Sequence, residues 1–132
     1  LKRAVNTLLK SIDEISLVRD EVLLIGATNH PDQLDTAAWR RFDDIIHFPL
    51  PDVNMREKIF EVTTKYMAIE NFEPSALADL TEGLSGSDIR LVLREAVLEA
   101  LSEDRTVLNQ EDLIAAVTAI EKRDILKSMP LE

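Results

Sequence analysis

An α/β region followed by an all-helical one is the fold class that this 132-residue sequence predicts, and three patterns predict it. Val22 to Ile25 is an unbroken apolar run without alternation, the pattern of a strand buried on both faces of a parallel sheet. A second apolar run, Ile45 to Phe48, is stopped by Pro49 and Pro51. From Val53 onward the apolar residues recur at helical spacing throughout.

Taken in order, Val5, Leu8, Leu9, Ile12 and Ile15 mark an amphipathic helix, which places Asp13 and Glu14 near a helix end rather than at the end of a strand. The strand Val22 to Ile25 then runs toward Asn29-His30-Pro31, which by itself is turn chemistry. Open parallel sheets bind ligands beyond the carboxyl ends of their strands, so an amide there can also orient a water or hold a phosphate oxygen. A short helix through Thr36 to Arg41 follows, then the second strand. The joint is Pro49 to Asn54, where two prolines and no glycine predict a stiff hinge.

The second half divides into four helices. Met55 to Met67 keeps Ile59, Phe60, Val62 and Tyr66 near one face. Ser75 is placed to cap a short helix holding Leu77 and Leu80, and Ser85 or Ser87 to cap the next. In that third helix Ile89, Leu91, Val92, Leu93, Val97, Leu98 and Leu101 are expected to form a broad buried face. Asn109 followed by Asp112 opens the last helix, with Leu113, Ile114, Val117 and Ile120 facing inward. Two units are expected, residues 1–53 and 54–132.

Composition narrows the chemistry. Fifteen bases against 25 acids give a formal charge of −10. Residues 54–132 hold nine of the bases and 16 of the acids, a local charge of −7. Nucleic acids and anionic lipids are bound through clustered Lys and Arg, so direct nucleic-acid binding is not expected of this chain. There are no cysteines, which excludes disulfides and thiolate metal sites and fits a reducing compartment. His30 and His47 have no second ligand at metal spacing, and no metal site is expected. No apolar run approaches the ~18 residues that span a bilayer, so no membrane insertion is expected and a cytoplasmic location follows by default.

Together, Gly26-Ala-Thr-Asn-x-Pro31, Leu34-Asp35, Arg40-Arg41-Phe42-Asp43 and Pro49-Leu50-Pro51-Asp52 resemble the second region of homology of the AAA ATPases. Gly83-Leu84-Ser85-Gly86-Ser87-Asp88-Ile89, with Arg94-Glu95-Ala96 behind it, is similar to the family's lid signature Gly-x-Ser-Gly-Ala-Asp-Ile. Several motifs in the family's order and spacing, running from about residue 1 to 123, make the resemblance specific. It implies a partial P-loop-type α/β half, one helix and two parallel-sheet strands, followed by the four-helix AAA lid.

The resemblance further implies that Asn29 is the sensor-1 residue, positioning the attacking water near the γ-phosphate. Arg40 and Arg41 look like arginine fingers that reach into a neighbour's nucleotide site, with Arg41 favoured as the main one. A planar, permanently charged guanidinium suits the charge that develops on a transferring phosphoryl group. Adjacent arginines depart from the Arg-Pro-Gly-Arg order of many members, which obscures which of the two is the finger. Gly86 and Ser87, by resemblance, approach the adenine and ribose side of the nucleotide, while Asp88 satisfies the first turn of its helix. Arg90 and Arg94 occupy sensor-2 positions, but members with this lid signature generally lack that arginine.

No Gly-x-x-x-x-Gly-Lys-[Ser/Thr] occurs, and the only glycines are Gly26, Gly83 and Gly86. A Walker B strand ending in paired acids is also missing. The expectation is the C-terminal part of an AAA ATPase module whose parent forms a ring, a hexamer, and uses ATP and Mg²⁺ to remodel or unfold a protein substrate. Neither cofactor is expected to bind this chain tightly by itself. The competing expectation is a non-catalytic interaction module that docks onto a complete ATPase.

Overall fold

The computed structural model describes residues 2–16 and 18–128, and the chain forms two compact units, residues 1–47 and 48–132. Residues 129–132, which the second expected unit includes, lie outside the described residues.

In the first unit, α1 (Lys2–Glu14) is the expected amphipathic helix, and Leu9 on its apolar face is buried. A single 3-10 turn, Pro31–Gln33, follows Asn29-His30, and α2 (Thr36–Trp39) is capped by Asp35, whose Oδ1 accepts from the Ala37 N–H. The apolar runs Val22–Ile25 and Ile45–Phe48 occupy their expected places between these elements, but neither forms a strand ladder. A ladder needs a hydrogen-bonded neighbour, and these two segments are not paired with each other. Leu23, Ile25, Ile46 and Phe48 are each at least 75% exposed, whereas an unbroken apolar run predicts burial on both faces.

The second unit is the four-helix lid: α3 (Val53–Thr63), α4 (Pro74–Leu80), α5 (Gly86–Ser102) and α6 (Gln110–Ser128). Phe60, Leu77, Ile89, Val92 and Leu113, one or two from each helix, are fully buried and form the centre of its core. Two short strands that the periodicity does not reveal, β1 (Ile69–Glu70) and β2 (Leu108–Asn109), pair in parallel with Ile69 opposite Leu108. The Gln110 side chain extends this pairing: its Oε1 accepts from the Glu73 N–H at 3.0 Å and its Nε2 donates to the Glu73 carbonyl at 3.1 Å. The start of α6 is thereby fixed against the start of α4.

Several expectations within the lid change. Ser75 is not the cap of α4; Glu73 precedes the helix and Pro74 opens it, because a proline at the first helical position loses no intrahelical hydrogen bond. The helix expected to reach Met67 ends at Thr63, so Tyr66 is exposed in the turn beyond it, while Val62 on α3 and Leu91, Leu98 and Leu101 on α5 are exposed on their helices. Apolar spacing wide enough to cover two faces does not say which one meets the neighbouring helices. Ser85, not Ser87, caps α5 in a reciprocal box: Ser85 Oγ accepts from the Asp88 N–H, and Asp88 Oδ2 accepts from the Ser85 N–H. Asn109 and Asp112 make the same exchange at the start of α6, as their spacing predicts.

Candidate functional site

In the first unit the segment bearing Asn29 packs close to the turn bearing the arginines. A Cβ on Gly26 would lie 3.2 Å from Cζ of Phe42, so the backbone there meets the aromatic ring at a distance that leaves little room for a side chain. Asn29 itself is exposed in a bend, and the neighbouring His30 N–H donates to Thr28 Oγ1 at 3.0 Å.

Arg40 and Arg41 end the short helix α2 in different environments. Arg40 is its C-terminal cap residue and is exposed, and its side chain makes no hydrogen bond or ion pair among the described residues. Arg41 is partly covered and is held by α1: Nε donates to Asp13 Oδ1 and Nη2 to Asp13 Oδ2, both at 2.9 Å, while Nη1 donates to the Ala37 carbonyl. The Asp13 hydrogen bonds raise the Arg41 pKa above its ordinary value, so the group stays charged at every accessible pH. Ile12, Ile15, Leu24, Phe42 and Asp43 line a small cleft beside this guanidinium.

In the second unit Gly86 and Ser87 form the first turn of α5, whose capping is supplied by Ser85 and Asp88. A Cβ on Gly86 would meet only Ile59 Cδ1 at 3.8 Å, an ordinary contact, so packing within the lid does not demand glycine here. Gly83 is different: its φ of +81° is a conformation that other residues adopt only with strain. Arg90 and Arg94 are exposed on α5.

Sequence reasoning passed over two residues that organise these surroundings. Asp13 reads as one of a solvated acid pair; its partner is 28 residues away, and no local pattern announces it. Arg56, which no sequence motif singles out, is only 5% exposed. Its Nε and Nη2 donate to the Ala78 carbonyl at 3.1 and 2.9 Å, and its Nη1 to the Pro51 carbonyl at 2.9 Å. Among the described residues no group of three or more His, Cys, Asp or Glu is gathered in a way that could hold a metal ion, and no helix is long and apolar enough to cross a membrane.

Comparison with known proteins agrees with this arrangement. The family model described as "ATPase family associated with various cellular activities (AAA)" matches residues 1–50, and that described as "AAA+ lid domain" matches residues 71–115. A proteasome-activating nucleotidase of Thermococcus gammatolerans is 44% identical over 110 residues, covering 80% of this chain and 28% of the relative. The proteasome-activating nucleotidase of Pyrococcus furiosus is 40% identical over 119 residues, covering 86% of this chain and 30% of that protein. That of Saccharolobus islandicus is 40% identical over 133 residues, covering 98% of this chain and 34% of the relative. The chain thus spans about a third of the length of these relatives. With the ATPase model on its mixed α/β region and the lid model on its helical unit, the chain belongs to the AAA+ ATPase family, as an ATPase-domain segment followed by a distinct C-terminal lid.

Proposed function

We propose that the protein to which this chain belongs is an ATP hydrolase that assembles as a ring, a hexamer, and couples ATP hydrolysis to the remodelling or unfolding of a protein substrate. The observation that carries this reading is the ordered placement of the motif residues Asn29, Arg40 and Arg41 within the segment matched to the ATPase family, ahead of a lid matched to the same family. The relatives, named proteasome-activating nucleotidases, support a protein as the substrate. The charge of −7 over residues 54–132 disfavours a nucleic acid. A sequence without cysteine suits the reducing cytoplasm.

By this reading residues 1–53 are the C-terminal part of the α/β ATPase core and residues 54–132 the lid. Asn29 orients the attacking water through its amide. Arg41, with Arg40 supporting it, donates to phosphoryl oxygens of the nucleotide held by the neighbouring subunit. Gly86 and Ser87, at the N-terminus of α5, lie along the adenine and ribose side, where a missing side chain at residue 86 permits close approach. Binding of the phosphates and of Mg²⁺ is not assigned to these residues. A phosphate cradle needs a nest of backbone N–H groups and a lysine, which three scattered glycines do not supply.

The test uses the full-length protein. Arg41→Ala is expected to lower turnover by ~10³ to 10⁵, the scale of an arginine finger in phosphoryl transfer, with nucleotide affinity nearly unchanged. In rings mixed with wild-type subunits, the variant subunit should hydrolyse normally beside a wild-type neighbour and silence the site it faces. A defect confined to the variant subunit's own site would reject the assignment.

A further inference from the structure

Helix α2 has only four residues, and its hold on the Arg41 side chain is a single hydrogen bond to the Ala37 carbonyl. A free arginine side chain carries about 2 kcal/mol of rotamer entropy, which a finger must lose before it can meet a phosphoryl group. Arg41 has already lost most of it. Both oxygens of Asp13 accept from its Nε and Nη2 in parallel, and the Ala37 carbonyl takes a hydrogen from Nη1. A guanidinium has five N–H donors, so two remain, one on each terminal nitrogen. Arg40, the preceding residue, has no such restraint among the described residues.

We propose that Asp13 is a positioning residue for Arg41: its carboxylate grips one edge of the guanidinium from α1 and leaves one N–H on each terminal nitrogen for the phosphoryl oxygens of a neighbouring subunit's nucleotide. This rests on the reading of Arg41 as the finger. The geometry gives Asp13 a role without contact to nucleotide. It also divides the arginine pair into a restrained member, Arg41, and an unrestrained one, Arg40. The matching of two carboxylate oxygens to two parallel N–H bonds fixes direction as well as distance, which a lysine in place of Arg41 cannot reproduce.

The test is a double-mutant cycle in the full-length ATPase, with Asp13→Ala, Arg41→Ala and the double variant, checked for assembly by size-exclusion chromatography. Asp13→Ala is expected to lower kcat on the order of 10- to 100-fold, the scale of a misdirected catalytic group, with KM for ATP within about twofold of wild type. In the Arg41→Ala background the same change should cost nothing further, because no finger remains to be positioned. Asp13→Glu, which retains both oxygens, should recover part of the rate. If Asp13→Ala fails to assemble, Asp13→Asn takes its place in the cycle, with the same expected pattern. Full activity of the Asp13 variants, a raised KM with normal kcat, or losses that add to those of Arg41→Ala would overturn the proposal while leaving the finger intact. An Arg41→Ala enzyme with wild-type turnover would instead remove the finger reading itself.

Discussion

Arg56 is a buried cation whose partners are carbonyls. Its guanidinium meets the Ala78 carbonyl near the C-terminal end of α4, where the helix dipole is negative, and ties in Pro51 just ahead of α3. Removing it does not orphan Ala78, whose carbonyl also accepts from Thr81 Oγ1 at 3.2 Å and from the Thr81 N–H at 3.4 Å. No other donor to the Pro51 carbonyl is present among the described residues. Arg56→Met is therefore expected to destabilise the lid by about 1 to 3 kcal/mol, the cost of one unsatisfied group and a lost charge-assisted bond, read from its urea midpoint. Arg105 and Asp112 form a second fixed pair, with both Asp112 oxygens accepting from Arg105 at 2.8 Å. The Arg105 hydrogen bonds hold the Asp112 carboxyl below its ordinary value of 3.8. A depressed carboxyl contributes stability that is fully present above its unfolded pKa and is lost as pH falls through the folded one. Lid stability should thus decline below about pH 4. Asp112→Asn should flatten that part of the decline in a thermal-melt series run from pH 6 to 2.

At the scale of the element, the ends of helices carry more local information than their middles. The capping box at Ser85 and Asp88 makes a definite cost expected: Ser85→Ala should lower lid stability by about 1 kcal/mol, measured by chemical denaturation. The other end of α5 closes with the Arg105 N–H bonded to the Ala100 carbonyl and the Asp104 N–H to the Leu101 carbonyl, the paired bonds of a Schellman motif. Its left-handed position is occupied by Asp104 at φ 57° rather than by glycine. Asp104→Gly is therefore expected to stabilise the lid by about 0.5 to 1 kcal/mol, and an unchanged or lower melting temperature would contradict this.

For the molecule as a whole, the apolar runs Val22–Ile25 and Ile45–Phe48 lie largely in solvent while the centre of the lid core is fully buried. Leu23, Ile25, Ile46 and Phe48 are 78%, 78%, 75% and 86% exposed, against 0% for Phe60, Leu77 and Leu113. Unpaired, apolar backbone segments are templates for another chain. The isolated 132-residue chain should consequently self-associate in light scattering, and Leu23→Lys with Ile46→Lys should shift it toward monomer. A strictly monomeric wild-type chain would count against this. The same chain should show no micromolar affinity for ATP by calorimetry, since Asn29 and Gly86 cannot substitute for a phosphate nest and lysine.

The order of the helices, the cap at Asn109, the choice of Ser85 or Ser87 for α5, and the segments that carry Asn29, Arg40, Arg41, Gly86 and Ser87 were legible in the sequence. Each depends on residues within about one helical turn of one another, or on a motif of fixed spacing. What only the tertiary structure decided involves partners far apart in the chain. The pairing of Arg41 with Asp13 spans 28 residues, the clamp of Arg56 on Ala78 spans 22, and the exchange between Gln110 and Glu73 spans 37. The exposed faces at Val62, Leu91 and Leu98 follow the same logic, because periodicity says that a helix has an apolar side but not which neighbour will cover it. The apolar runs at Val22–Ile25 and Ile45–Phe48 are the clearest case. Composition gives a segment the capacity to be a strand, while the ladder that makes it one depends on a partner's N–H and C=O groups.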